Sequence, residues 1–117
     1  MSVFCEMFRK SASESDRKRD EALVVPDDVE AFYDLDYVDD GDVYHRLDVY
    51  RPYESDKKLP VIINVHGGGY VYGTKENYLH YGMFLAEQGF VFVYGNYHLA
   101  PEHHFPTQLE DINAIVD

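Results

Sequence analysis

The chain has 117 residues with a formal net charge of −12 and a hydrophobic fraction of 45%, enough for one small globular unit. So acidic a chain repels nucleic acid and anionic membrane surfaces; the only basic concentration is Arg9, Lys10, Arg17, Lys18 and Arg19 near the start, interleaved with Glu6, Glu14, Asp16 and Asp20. One cysteine, Cys5, excludes an intrachain disulfide, and no apolar run is long enough for a signal peptide or a membrane span, so a soluble cytoplasmic protein is expected.

Residues 1–25 read as an arm or cap segment. Phe4, Met7 and Phe8 fall on one face of a short helix, and Ser11 to Asp20 is a solvated helix or loose arm. Residues 26–117 read as the core. Within 32–50 the alternation of Leu35 and Tyr37 with Asp34 and Asp36, the turn signal Asp39-Asp40-Gly41-Asp42, and the alternation of Val43, His45, Leu47 and Val49 predict an antiparallel hairpin. Pro52 ends its second strand. His45 falls on the apolar face, as a packed residue rather than a ligand. Residues 53–58 form a charged surface loop.

Leu59–Val65 is apolar and rich in β-branched residues, and predicts a strand buried on both faces. A helix follows from about Glu76 to Gln88, its stripe carried by Leu79, Met83 and Ala86 and widened by Phe84 and Leu85, with Gly89 as its C′ residue. Phe90–Tyr94 is a second apolar strand. A buried strand, a helix and a buried strand in that order imply parallel pairing with a right-handed crossover. The fold class is therefore α/β with an antiparallel edge. After an irregular loop, Thr107-Gln108-Leu109-Glu110 has the pattern of a capping box, starting a helix whose stripe is Leu109, Ile112, Ile115 and Val116. The sequence stops at Asp117 within that stripe.

Between the first apolar strand and the first core helix lies His66-Gly67-Gly68-Gly69-Tyr70. Three glycines free the backbone for positive φ and close approach, which suits an anion site. A phosphate loop is disfavoured because Thr74-Lys75 reverses the required Lys-Ser/Thr order, and a dinucleotide fingerprint fails at Tyr72, where a small residue is needed. His-Gly-Gly-Gly after a buried strand is the pattern by which lipases and esterases present backbone N–H donors to an oxyanion. A glycine-rich turn without chemistry is the plainer alternative. His98, His103 and His104 lack the carboxylate or cysteine pattern of a metal site, so no metal and no cofactor are expected.

Asp48-Val49-Tyr50-Arg51-Pro52, then His66–Tyr70, then Tyr97–Pro106 occur in order, and with them the chain resembles the start of an α/β-hydrolase of the hormone-sensitive-lipase-like group, the acetyl esterases and carboxylesterases. The likeness covers roughly residues 35 to 117. One departure is His98, where that family usually has arginine. The resemblance implies that Gly68 and Gly69 give the oxyanion-hole N–H groups, that Gly67 shapes the turn, that His66 braces the loop, and that Tyr70 stands near the acyl pocket. It also implies cis bonds at Ala100–Pro101 and Phe105–Pro106, and the strand from Phe90 lying between the hairpin's second strand and Leu59–Val65.

None of Ser2, Ser11, Ser13, Ser15 and Ser55 sits in Gly-x-Ser-x-Gly. In this fold nucleophile, acid and base follow the oxyanion loop in the chain, so all three would lie beyond Asp117. The expectation is the N-terminal part of a serine carboxylesterase for short acyl esters, inactive alone. The alternative is a non-catalytic remnant or interaction module. An uncovered apolar strand would make the 117-residue chain self-associate. Its partners are then a small-molecule ester and further copies of itself, with no nucleic acid and no membrane span.

Overall fold

The computed structural model describes residues 3–20, 24–53, 57–75 and 79–117. Its elements in chain order are α1 (Val3–Asp20), β1 (Val29–Asp36), a 3-10 turn (Val43–His45), β2 (Arg46–Pro52), β3 (Val61–Val65), α2 (Leu79–Glu87), β4 (Val91–Gly95) and α3 (Thr107–Val116). The strands form one mixed sheet in the order β1-β2-β4-β3. β1 and β2 pair antiparallel, β2 and β4 pair antiparallel, and β3 and β4 pair parallel. This is the α/β arrangement expected, with an antiparallel edge and the second apolar strand seated between the hairpin and the first.

α1 is one continuous helix of 18 residues, so of the two readings of Ser11 to Asp20 the helical one holds, and it continues the helix of Phe4, Met7 and Phe8. The hairpin begins earlier than the alternation suggested. β1 starts at Val29, and its ladder is interrupted between Phe32 and Leu35. Asp34 lies in that irregularity with φ +56, a left-handed conformation that aspartate tolerates better than most side chains. Val43–His45 is a 3-10 turn, capped by the Asp42 carboxylate accepting from the Tyr44 amide. Local capping wins there over the apolar alternation.

The core lies between α2 and one face of the sheet. Tyr50 and Tyr94 are fully buried, with Phe92, Val29 and Ala86 against them. Gly82 lets α2 approach the sheet closely, because a Cβ there would stand 2.7 Å from the Tyr50 ring and 3.0 Å from Phe92. Met83 and Ala86 are buried as the stripe predicted, but Phe84 is exposed and does not widen it. Gly89 closes α2 with φ +98. Its amide donates to Ala86 O and the Phe90 amide to Leu85 O, the Schellman pattern. The predicted start of α2 at Glu76 lies outside the described residues, as does part of the 53–58 loop.

The expectation that β3 is buried on both faces is not met. Ile62 packs on the core, but Val61, Ile63 and Val65 are 57%, 40% and 43% exposed. α3 covers only one end of that second face, where Ile115 lies over Gly95 so closely that a Cβ would come within 2.5 Å of it. α3 does start at Thr107, but not through a capping box. Pro106 is the N-cap and no side chain caps it, so Thr107 is the first helical residue and cannot bond back to the helix amides.

Candidate active site

β3 delivers the chain into His66-Gly67-Gly68-Gly69-Tyr70 at the end of the parallel pair. The loop folds tightly on itself, with the amides of Val71 and Tyr72 both donating to Gly68 O. Gly68 has φ +127, and a Cβ there would lie 1.9 Å from Tyr72 O; only glycine fits. Gly73, with φ +118, is equally constrained, since its Cβ would meet the His66 ring at 2.3 Å. Gly69 has φ +62 and faces open space. Tyr70 itself takes φ +62, an uncommon conformation for a bulky residue, and such outliers cluster at functional sites. Among the described residues, the Gly68 and Gly69 amides donate to no protein acceptor.

His66 is buried behind the loop. Its ring stacks on Tyr97 at 4.1 Å between centroids, its Nδ1 lies 2.9 Å from Gly67 O, and the Tyr97 hydroxyl donates to His66 O at 2.8 Å. These contacts tie the glycine loop to the loop that follows β4. The Ala100 amide adds a bond to Tyr70 O at 2.7 Å. Both Ala100–Pro101 and Phe105–Pro106 are cis, as the family resemblance implied.

Gly69, Tyr70, Ala100, Phe105, Gln108 and Leu109 line a partly open cavity of about 300 Å³. Its walls are largely apolar side chains, and one side is the glycine loop. The five residues singled out from the sequence are consecutive: His66 stacks behind the loop on Tyr97, Gly68 and Gly69 take positive φ, and Gly69 and Tyr70 line the adjoining cavity.

Sequence reasoning missed the residue that fastens α1 over this site. Arg9 donates from Nε to Val71 O and from Nη2 to Ala100 O, and grips the Glu102 carboxylate with both terminal nitrogens at 3.0 Å. The Arg9 guanidinium holds the Glu102 carboxyl down at about 2. Tyr72 adds a hydroxyl bond to Asp16 on the same helix. A lone arginine in a polar helical stretch carries no signal for this, because its partners lie 62 to 93 positions away.

A second network was also missed. His45, expected to pack on an apolar face, has Asp40 Oδ2 2.6 Å from Nδ1 and Asp111 Oδ1 2.9 Å from Nε2. Burial pushes its imidazole down, but those two carboxylates outweigh burial and the net shift is upward. His98 has Asp111 Oδ2 2.7 Å from Nδ1 and Asp42 Oδ2 2.8 Å from Nε2, so it keeps ion-pair geometry where the resembling family has arginine.

Residues 47–117 match the BD-FAE family. Among curated proteins, the amyloplastic tuliposide A-converting enzyme b1 of Tulipa gesneriana is 44% identical over 61 residues, covering 50% of this chain and 16% of the enzyme. Arylacetamide deacetylase of Bos taurus is 35% identical over 68 residues, covering 55% of this chain and 17% of its own. Among solved structures, esterase B from Lactobacillus rhamnosis superposes with a TM-score of 0.90 at 27% identity, over 97% of this chain and 37% of that one. The esterase of Pyrobaculum calidifontis gives 0.73 at 30% identity, over 98% and 35%. The chain spans well under half the length of each of these relatives. Among the described residues, no helix is long and apolar enough to cross a membrane. With residues 47–117 matching that family and the sheet superposing on esterases throughout, the chain belongs to the BD-FAE family and has the α/β-hydrolase fold.

Proposed function

We propose that this chain forms the oxyanion-binding part of a serine carboxylesterase for short acyl esters. The observation that carries the reading is that, among the described residues, the Gly68 and Gly69 amides donate to no protein acceptor, and that Gly69 lines an apolar cavity of about 300 Å³. Preorganised N–H groups stabilise the negative charge that develops on a carbonyl oxygen only in the transition state. The cavity volume is at the small end for ligand pockets, which suits a short acyl group. Tyr70, Phe105 and Leu109 form its apolar wall. His66 and Gly67 act through the loop, as positioning residues.

Nucleophile, acid and base are assigned to residues after Asp117. Ser11, Ser13 and Ser15 lie along α1, and Ser2 and Ser55 lie outside the described residues. The 117-residue chain alone is therefore inactive in this reading. The tulip relatives are named as amyloplastic and chloroplastic.

The test uses the product of the whole gene and p-nitrophenyl acetate. Gly68→Ala forces the loop away from Tyr72 O and misaims both amides. The expected loss is about 10²–10³ in kcat, with KM little changed. An unchanged kcat overturns the oxyanion assignment. A reading frame with no Gly-x-Ser-x-Gly after codon 117 overturns the serine-esterase assignment.

A further inference from the structure

The His–Asp network lies where the 3-10 turn, the loop after β4 and α3 meet, and each contributes one central group: His45, His98 and Asp111. His98 and Asp111 are 6% and 7% exposed. One ligand-capable atom from each lies within 4.8 Å of the other two. A surface or core histidine usually satisfies one ring nitrogen and leaves the other to water or packing. Here each imidazole turns one nitrogen to the shared carboxylate of Asp111 and the other to its own private carboxylate, Asp40 for His45 at 2.6 Å and Asp42 for His98 at 2.8 Å.

That division of labour is what a metal-binding histidine requires. One nitrogen must face the centre, and the other must donate to an outer carboxylate that fixes the tautomer and raises the ring's basicity. Both histidines meet both conditions. Asp111 is itself held by the His98 amide, which donates to Oδ2 at 2.8 Å, so Oδ1 can turn to a cation without losing that bond. The outer carboxylates are braced too: the Asp42 amide donates to Asp40 Oδ1 and the Tyr44 amide to Asp42 Oδ1. Around the cluster stand the rings of Tyr37, Tyr44 and His103, which limit access by water.

We infer that His45, His98 and Asp111 form a binding site for a divalent transition-metal cation of the zinc type, with Asp40 and Asp42 as its outer shell. Two imidazole nitrogens and one carboxylate oxygen suit such an ion, and a chain of net charge −12 favours its approach. Separations below 4.8 Å contract to those around a bound ion, with ligands at about 2.0–2.2 Å from the metal, by small rotamer changes. On binding, the ring nitrogens that face Asp111 give their lone pairs to the metal, and any proton they carry leaves to solvent. The site would clamp the turn, the β4 loop and α3 together, because no two of its central ligands come from the same element.

The test is equilibrium dialysis of the purified product of the whole gene against zinc, read by elemental analysis, alongside thermal melting with and without zinc. The wild type is expected to retain one equivalent and to melt at a higher temperature with zinc than without. His98→Arg keeps a hydrogen-bond donor opposite Asp42 and Asp111 but supplies no ligand; His45→Gln removes the other. Each is expected to weaken zinc at least 100-fold and to lose the zinc-dependent rise in melting temperature while melting cooperatively in its absence. Asp42→Asn is expected to weaken zinc about 10-fold or more through the outer shell. Failure of the folded wild type to retain zinc at 100-fold excess, or retention that survives His98→Arg or His45→Gln undiminished, overturns the assignment and leaves the cluster as a structural ion-pair network.

Discussion

Lys75 places one ammonium between two carboxylates in very different surroundings. Its Nζ lies 2.8 Å from Asp48 Oδ1 and 2.9 Å from Asp34 Oδ1. The Lys75 and Asp48 side chains are 4% and 1% exposed, whereas Asp34 is 62% exposed. At 2.8 Å and an effective dielectric constant of about 20, the Lys75–Asp48 attraction is about 6 kcal/mol. Desolvating two ions costs several kcal/mol each, so the intact pair adds little net stability. Cutting it is another matter. Lys75→Met preserves most of the buried volume, removes the ammonium and leaves the Asp48 charge in place, which costs about 3–5 kcal/mol. For 117 residues the unfolding entropy makes 1 kcal/mol worth about 4 °C. The expected fall in melting temperature is therefore about 12–20 °C by far-ultraviolet circular dichroism. Asp34→Asn removes the solvated partner and keeps a residue that accepts φ +56. It should cost under about 1 kcal/mol, hence less than about 4 °C. If Lys75→Met melts within 4 °C of the wild type, or Asp34→Asn costs as much, burial does not decide the worth of these contacts and the reasoning fails.

Two further outcomes are expected. The Glu102 carboxyl is held at about 2 rather than its ordinary 4.5 by Arg9. A depressed folded value means the stabilisation is complete above pH 4.5 and is lost as pH falls toward 2, so α1 should loosen over that window. Hydrogen exchange of α1 amides should accelerate there, and Arg9→Ala should already exchange fast at pH 6; a flat profile in the wild type contradicts the role given to the pair. The uncovered face of Val61, Ile63 and Val65 beside the free edge of β3 should make the 117-residue chain self-associate. Light scattering should show species above the monomer mass, reduced by Ile63→Lys, and a sharp monomer peak for the wild type would refute it.

Much of the fold was legible because its signals are local. The apolar runs at Leu59–Val65 and Phe90–Tyr94, the stripe ending at Gly89, and the glycine loop each announce an element within a dozen residues. Parallel pairing follows from the crossover between two such runs. The glycine loop was also legible as an unusual backbone, because positive φ at Gly68 and Gly69 is a demand that few residues can meet. Errors arose where a local pattern met a stronger neighbour. Val43 and His45 alternate like a strand, yet the Asp42 carboxylate captures the Tyr44 amide and turns the chain into a 3-10 helix. Thr107 and Glu110 spell a capping box, yet Pro106 occupies the cap and leaves Thr107 inside the helix.

What remained hidden shares one physical feature: a charged group whose partner is remote in sequence. Arg9 reaches Glu102, Lys75 reaches Asp48 and Asp34, and His45 reaches Asp111 across 66 positions. Read singly, each is an ordinary polar residue on a helix, in a loop or on a strand. Hydrophobic periodicity reports which face is buried and is silent about a charge on it. Yet burial of a charge is costly enough that it demands a partner. In an acidic chain with 22 carboxylates and 10 lysines and arginines, the cations are the scarce species, and the informative question is which carboxylates each one serves. Two of the answers, Arg9 on the β4 loop and Lys75 on the hairpin, join segments far apart in sequence, and the histidines on Asp111 do the same through hydrogen bonds. The ion pairs therefore mark where the elements are fastened to one another, while the apolar pattern marks only what each element is.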